Sequence, residues 1–195
     1  MLHFTLMSRS AYLQTLTEFF PVIAFFVAGQ VADFYTAVAV LVVTTLLSLG
    51  IGILRLKTIP VMPLFSGATT FLFGGLTLWL GEPDFLIFAD TFYFVSLALL
   101  IGFFFTRPKH LLEHMLDKTF AMTKEGWKIL SVRWFTVLIL AGIANEAARF
   151  FLDPEVWIDY RFVKILLLIS FSFYQFRLSR KYRIAAESNY LGLRT

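Results

Sequence analysis

Residues 63–80 read PLFSGATTFLFGGLTLWL, an apolar run with no charged side chain. Pro63 opens it and Gly81-Glu82-Pro83-Asp84 closes it. As a helix it is a rod of about 27 Å, close to the hydrocarbon thickness of a bilayer. Its centre, Phe73-Gly74-Gly75-Leu76-Thr77, places two glycines side by side. In a water-soluble helix each would cost about 1 kcal/mol relative to Ala. In a membrane helix small residues let a neighbour approach closely. The reading is a buried central span, with Gly74, Gly75 and Thr77 as packing candidates; the plainer alternative is one more lipid-facing span.

Working outward, the chain repeats this character. It has 195 residues, 58% hydrophobic, 15% charged, with 24 Phe and mean hydropathy +0.77. A soluble domain is nearer half apolar and a quarter charged. Runs such as Val38-Ala39-Val40-Leu41-Val42-Val43 do not alternate as barrel strands do. The expectation is an all-α, polytopic transmembrane bundle in a single domain, 1–195. Its segments are 19–32, 34–54, 63–80, 85–105, 132–152 and 158–176, five to six of them crossing. The first is short for a span. Pro21 is read as lying in its first turn, where a missing N–H leaves no bond unmade; alternatively, residues from Ala11 lengthen the helix, with Glu18 at its entrance. Between them lies a polar loop, 106–131, in which 108–122 reads as a short interfacial amphipathic helix. A basic tail, 177–195, ends the chain.

There is no cysteine, so no disulfide or thiolate chemistry. The start holds one basic residue, Arg9, and no apolar core followed by a small-residue cleavage site, so no cleaved signal peptide is expected. Charge sets the orientation. With the amino terminus inside, most of the 17 basic residues fall on inner segments: Arg9, Arg55, Lys57, the 107–133 cluster and the tail. Asp33, Glu82, Asp84, Asp90, Asp153, Glu155 and Asp159 fall outside. By the positive-inside rule, loop and tail are cytoplasmic.

Three constellations carry possible chemistry. His110-Leu-Leu-Glu113-His114 matches an inverted zinc-protease motif, but no third ligand has the right context. It reads as polar decoration, and neither a metal nor a cofactor is expected. Asp90, Asn145, Glu146, Arg149 and Lys164 should lie at similar depth in the outer half of the bilayer. Glu146 and Arg149, three apart, can pair. Intramembrane charges suggest function by default, and structural pairing between helices is the competing reading. Arg177, Arg180, Lys181 and Arg183 follow a span directly and suit anionic lipid as well as the topology signal. No Walker loop, dinucleotide fingerprint or Ser/His/Asp arrangement is present, and no footprint for nucleic acid beyond the tail.

The chain resembles the intracellular septation protein A family of Gram-negative bacteria from about Phe19 to Arg183. The likeness rests on Pro21-Val-Ile-Ala-Phe-Phe, on Phe73-Gly74-Gly75-Leu76-Thr77-Leu78, and on Gly126-Trp127-x-x-Leu130-x-x-Arg133-Trp134. Ala144-Asn145-Glu146 and Trp157 complete it. The last segment departs from the family's W-x-N-F-K-x-F-G, since Trp157 is followed by Asp159, Tyr160, Arg161, Phe162, Val163 and Lys164. The resemblance implies about five spans and an inner-membrane protein of envelope biogenesis and integrity. It implies a link to septation through other membrane proteins of division or elongation, and no catalytic residues. Self-association is left open. The rival reading is a small-solute or ion transporter working through the outer polar cluster; the second and third segments lack the charges a continuous polar path would need.

Overall fold

The computed structural model describes residues 9–56 and 61–194, with side chains over 19–54 and 64–194. The side chains of Arg9, Arg55 and Lys57, counted above for orientation, lie outside that set, as does Pro63. The described residues are all-α: α1 (Arg9–Val31), α2 (Phe34–Leu56), α3 (Val61–Leu80), α4 (Asp84–Phe103), α5 (Leu111–Leu116), α6 (Lys124–Phe151), α7 (Pro154–Tyr174) and α8 (Phe176–Lys181). Among them 34–54, 84–106 and 124–151 are long and apolar enough to cross a membrane. The apolar parts of α1 and α3, 19–31 and 64–80, are shorter. Charged residues Asp159, Arg161 and Lys164 interrupt α7.

Two units divide the chain: residues 1–89 with 148–162, and residues 90–147 with 163–195. Helices α4, α6 and α7 lend a stretch to each. On both, large apolar side chains face outward, among them Phe71, Leu72, Leu99, Leu140, Ile143 and Leu167. A water-soluble monomer rarely exposes so much contiguous apolar surface; on a chain that sits in a bilayer it is the lipid face.

In the first unit, Trp157 is fully enclosed and meets Phe25 and Phe34 edge-on, each at 6.4 Å. Val38, Leu41 and Leu86 complete the core. The Arg161 guanidinium lies 5.1 Å from the Phe25 ring and 5.2 Å from that of Trp157. Asp33 begins α2: one carboxylate oxygen accepts from the Thr36 N–H at 3.0 Å, the other from its hydroxyl at 2.8 Å. These bonds to Thr36 hold the Asp33 carboxyl below its ordinary range. The cap is therefore intact at neutral pH and is lost as acid drives the pH below about 4, through the lowered value.

The 63–80 run behaves unevenly. A Cβ added at Gly74 would lie 2.7 Å from Val42 Cγ2, so α2 and α3 meet there. One added at Gly75 would meet nothing within 4 Å. The expected two-glycine packing face is thus Gly74 alone, because neighbouring helical positions point about 100° apart. Thr77 is fully buried, and its Oγ1 accepts the Leu86 N–H at 2.9 Å. That N–H belongs to the first turn of α4, which has no intrahelical acceptor for it. Thr77→Val keeps the volume and removes the acceptor, so it should cost about 1–3 kcal/mol. Thermal scans in detergent should show Thr77→Val lowered and Thr77→Ser close to the parent; indistinguishable variants would remove the cap from the account.

Several boundaries differ from the sequence reading. The first helix starts at Arg9, so Pro21 lies in its interior rather than its first turn. Membrane helices tolerate this because neighbours and local adjustment satisfy the freed carbonyl. The fifth segment starts at Lys124 rather than 132, and α7 begins at Pro154, a favoured first helical position. The interfacial helix expected over 108–122 shortens to 111–116. Its last residues, 119–122, pair with the tail instead: isolated antiparallel bridges join Phe120 to Leu193 and Met122 to Arg183. Ala121 N–H donates to Gly192 O at 3.0 Å, and Ile184 N–H returns to Ala121 O at 2.9 Å. Gly192 has φ +81° and would press a Cβ to 2.7 Å from Ser179 O, so glycine is required. Loop and tail form one small module over Met122, Trp127, Leu130 and Leu178.

Candidate functional site

The second unit encloses a polar network at the meeting of α4, α6 and α7. Lys164 is 6% exposed, and its Nζ donates to Asp90 Oδ2 at 2.8 Å and to Asn145 Oδ1 at 2.6 Å. The Phe94 ring, one turn beyond Asp90, lies 4.9 Å from the same ammonium. Asn145 is fully buried and donates through Nδ2 to Thr91 Oγ1 at 3.0 Å. One turn before Asn145, a Cβ at Gly142 would lie 3.3 Å from Val95 Cγ2, so α4 and α6 run close enough for that bond. An ammonium has three donors; two oxygens and a ring face occupy its surroundings. Buried charges of this kind persist because they are paired and hydrogen-bonded.

Asp90, Asn145 and Lys164 meet in the network. Arg149 belongs to the first unit, where its guanidinium lies 3.5 Å from the Asp84 carboxylate and packs on the Phe88 and Phe150 rings. Spacing along one helix could not reveal Asp84, which another helix supplies. Glu146 is half-buried, with Oε1 enclosed. Thr91 and Phe94 were also missed. Phe94 follows Asp90 by four residues on one face, a signal available in the sequence, whereas Thr91 looks like an ordinary membrane threonine until α6 is placed.

The histidines of the zinc-like motif do not share a helix. His110 precedes α5 in extended conformation, and His114 lies in its last turn. Their rings pack edge-on against Phe105 and Phe104. Among the described residues no group of His, Asp and Glu could hold a metal ion. The basic tail residues are ordered within the module. Arg177 faces the Tyr174 ring at 5.5 Å, Arg180 that of Tyr190 at 5.9 Å and Lys181 that of Tyr182 at 5.1 Å. Arg183 joins the Met122 bridge and reaches Asn189 O at 3.4 Å.

The family model for intracellular septation protein A matches residues 13–185. The chain belongs to the intracellular septation protein A family. Within that family it is similar to the inner membrane-spanning protein YciB of Brucella melitensis, 31% identical over 180 residues, covering 90% of this chain and 79% of that protein. The Brucella suis protein of the same name is 31% identical over 180 residues, with 90% and 86% covered. That of Brucella anthropi is 30% identical over 178 residues, with 90% and 78% covered. No solved structure matches. The match spans the Phe73-Gly74-Gly75-Leu76-Thr77 run and Asn145, both of which have structural work in this member: a close helix approach, a helix cap and a buried network.

Proposed function

We propose that this chain is a multi-pass inner-membrane protein of envelope biogenesis, envelope integrity and membrane homeostasis, linked to septation through contacts with other membrane proteins of division or elongation. The family match over residues 13–185 carries the reading, and the relatives' names support placement in the inner membrane. The reading assigns no catalysis and no cofactor. In it the Asp90–Asn145–Lys164 network holds helices together rather than conducting a solute, since its hydrogen bonds join side chains from α4, α6 and α7.

The proposed orientation has the loop and tail in the cytoplasm. The module supports a shared side, because the chain leaves it at Lys124 and returns to it at Phe176. Reporter fusions at Thr195 and near Lys118 should both give cytoplasmic signal; a periplasmic signal from either would overturn the orientation. The role itself is tested in a strain lacking the gene. The parent chain should restore envelope integrity, and crosslinking from the tail should capture division or elongation proteins, or a second copy of this chain. Full rescue without any protein crosslink would remove the partner-mediated part of the reading.

A further inference from the structure

The loop–tail module roofs a cavity of about 210 Å³. Leu116, Phe120, Leu130, Trp134 and Phe176 supply most of its wall. Ser172, exposed, and Gln175, buried, form its polar side. An apolar cavity of about 150 Å³ already holds a benzene, so this one has room for several methylene groups. Its polar side is electrically biased. The Gln175 side-chain oxygen accepts from Arg133 at 3.2 Å. The adjoining Tyr174 ring has two guanidiniums around it, Arg133 at 5.8 Å and Arg177 at 5.5 Å. Neither arginine has a carboxylate within ion-pair distance among the described residues. Both guanidiniums are positive, and an anion near this ring would be attracted by each. Phe173 and Tyr174, next in sequence to the lining Ser172 and Gln175, stand exposed at the end of α7, and such aromatic residues are enriched where hydrocarbon gives way to headgroups.

We propose that this cavity is a specific site for one anionic membrane phospholipid, with part of an acyl chain lodged against Trp134 and Phe176 and the phosphate held between Arg133 and Arg177. The apolar cavity argues for a lipid rather than a free anion, and the paired guanidiniums argue for an anionic headgroup rather than a zwitterionic one. Arg180 and Lys181, facing Tyr190 and Tyr182, are not part of the site. The inference rests on the chain sitting in a bilayer and not on its envelope role, so either can fail alone.

The test is native mass spectrometry of the full purified chain, titrated with phosphatidylglycerol, with phosphatidylcholine of the same chains, and with glycerol phosphate. Phosphatidylglycerol should bind as a single retained adduct, about thirtyfold tighter than phosphatidylcholine, as expected for two basic groups. Glycerol phosphate should not be retained. Ser172→Phe, which fills the cavity from its exposed wall, should abolish the adduct. Arg133→Gln with Arg177→Gln should bring phosphatidylglycerol down to the phosphatidylcholine level while the lipid-free melting temperature stays within the parent's range. Equal retention of the two lipids would overturn the proposal. So would retention of glycerol phosphate as tight as the lipid, or a phosphatidylglycerol adduct unaffected by both sets of substitutions. Should Ser172→Phe fail to fold, the arginine pair decides.

Discussion

Lys164→Met should be among the most damaging single substitutions in the chain, at about 3–5 kcal/mol. It leaves the Asp90 carboxylate without the ammonium 2.8 Å away and removes a 2.6 Å donor from Asn145 Oδ1. Asp90→Asn should cost less, because an amide still offers Lys164 an oxygen. The double substitution should be milder than the sum of the two, with a coupling of about 0.5–3 kcal/mol. Melting in lipid nanodiscs, with membrane accumulation as a second readout, measures the cycle. Strict additivity would mean the ion pair has no coupling to explain. The same cycle separates the two functional readings. If the network is structural, loss of rescue should track loss of folded protein. Variants that accumulate and melt like the parent yet fail to rescue would favour a solute or proton pathway.

The second large effect belongs to Gly74. Even a methyl group there meets Val42 Cγ2 at 2.7 Å, on a branched side chain that is itself buried. Valine has little rotamer freedom in a helix, so α2 must move. Gly74→Leu should therefore cost about 1–3 kcal/mol or more and lower the yield of folded protein. Gly75→Leu, with nothing within 4 Å, should fold at least as well as the parent, since leucine is the better helix former by roughly 1 kcal/mol. Added leucine also favours membrane insertion, so a loss at Gly74 cannot be blamed on insertion. Equal melting of the two variants would place the contact elsewhere. If Gly75→Leu melts normally and still fails to rescue, that face of α3 meets another protein.

The class of fold was legible because bilayer thickness leaves a direct mark on sequence: long apolar runs, few charges and basic residues gathered in particular loops. Contacts along one helix were partly legible too, as the four-residue step from Asp90 to Phe94 shows. What escaped was set by rotation and by distant pairing. Nothing in Phe-Gly-Gly-Leu-Thr says which glycine faces α2, because both are equally small and only the neighbour's position decides. The contact of Arg149 with Asp84, a residue from another helix, left no mark in the spacing along α6. The 108–122 stretch has a helical face, yet the helix ends at Leu116 and residues 119–122 take backbone partners from the tail. Period alone cannot register a competitor that lies some seventy positions downstream.

That pairing has a consequence for how the chain is made. Phe120 and Met122 leave the ribosome well before Leu193 and Arg183, which complete their bridges. At ordinary elongation rates the roughly 70 intervening residues take on the order of 4–14 s to add. For that interval the apolar side of the 107–131 segment lacks its cover, and α6 and α7 must be delivered to the bilayer before the cover can arrive. Closure of the module is thus a late event in biosynthesis, and a nascent chain that stalls before Gly192 presents an open, greasy surface to the quality-control machinery.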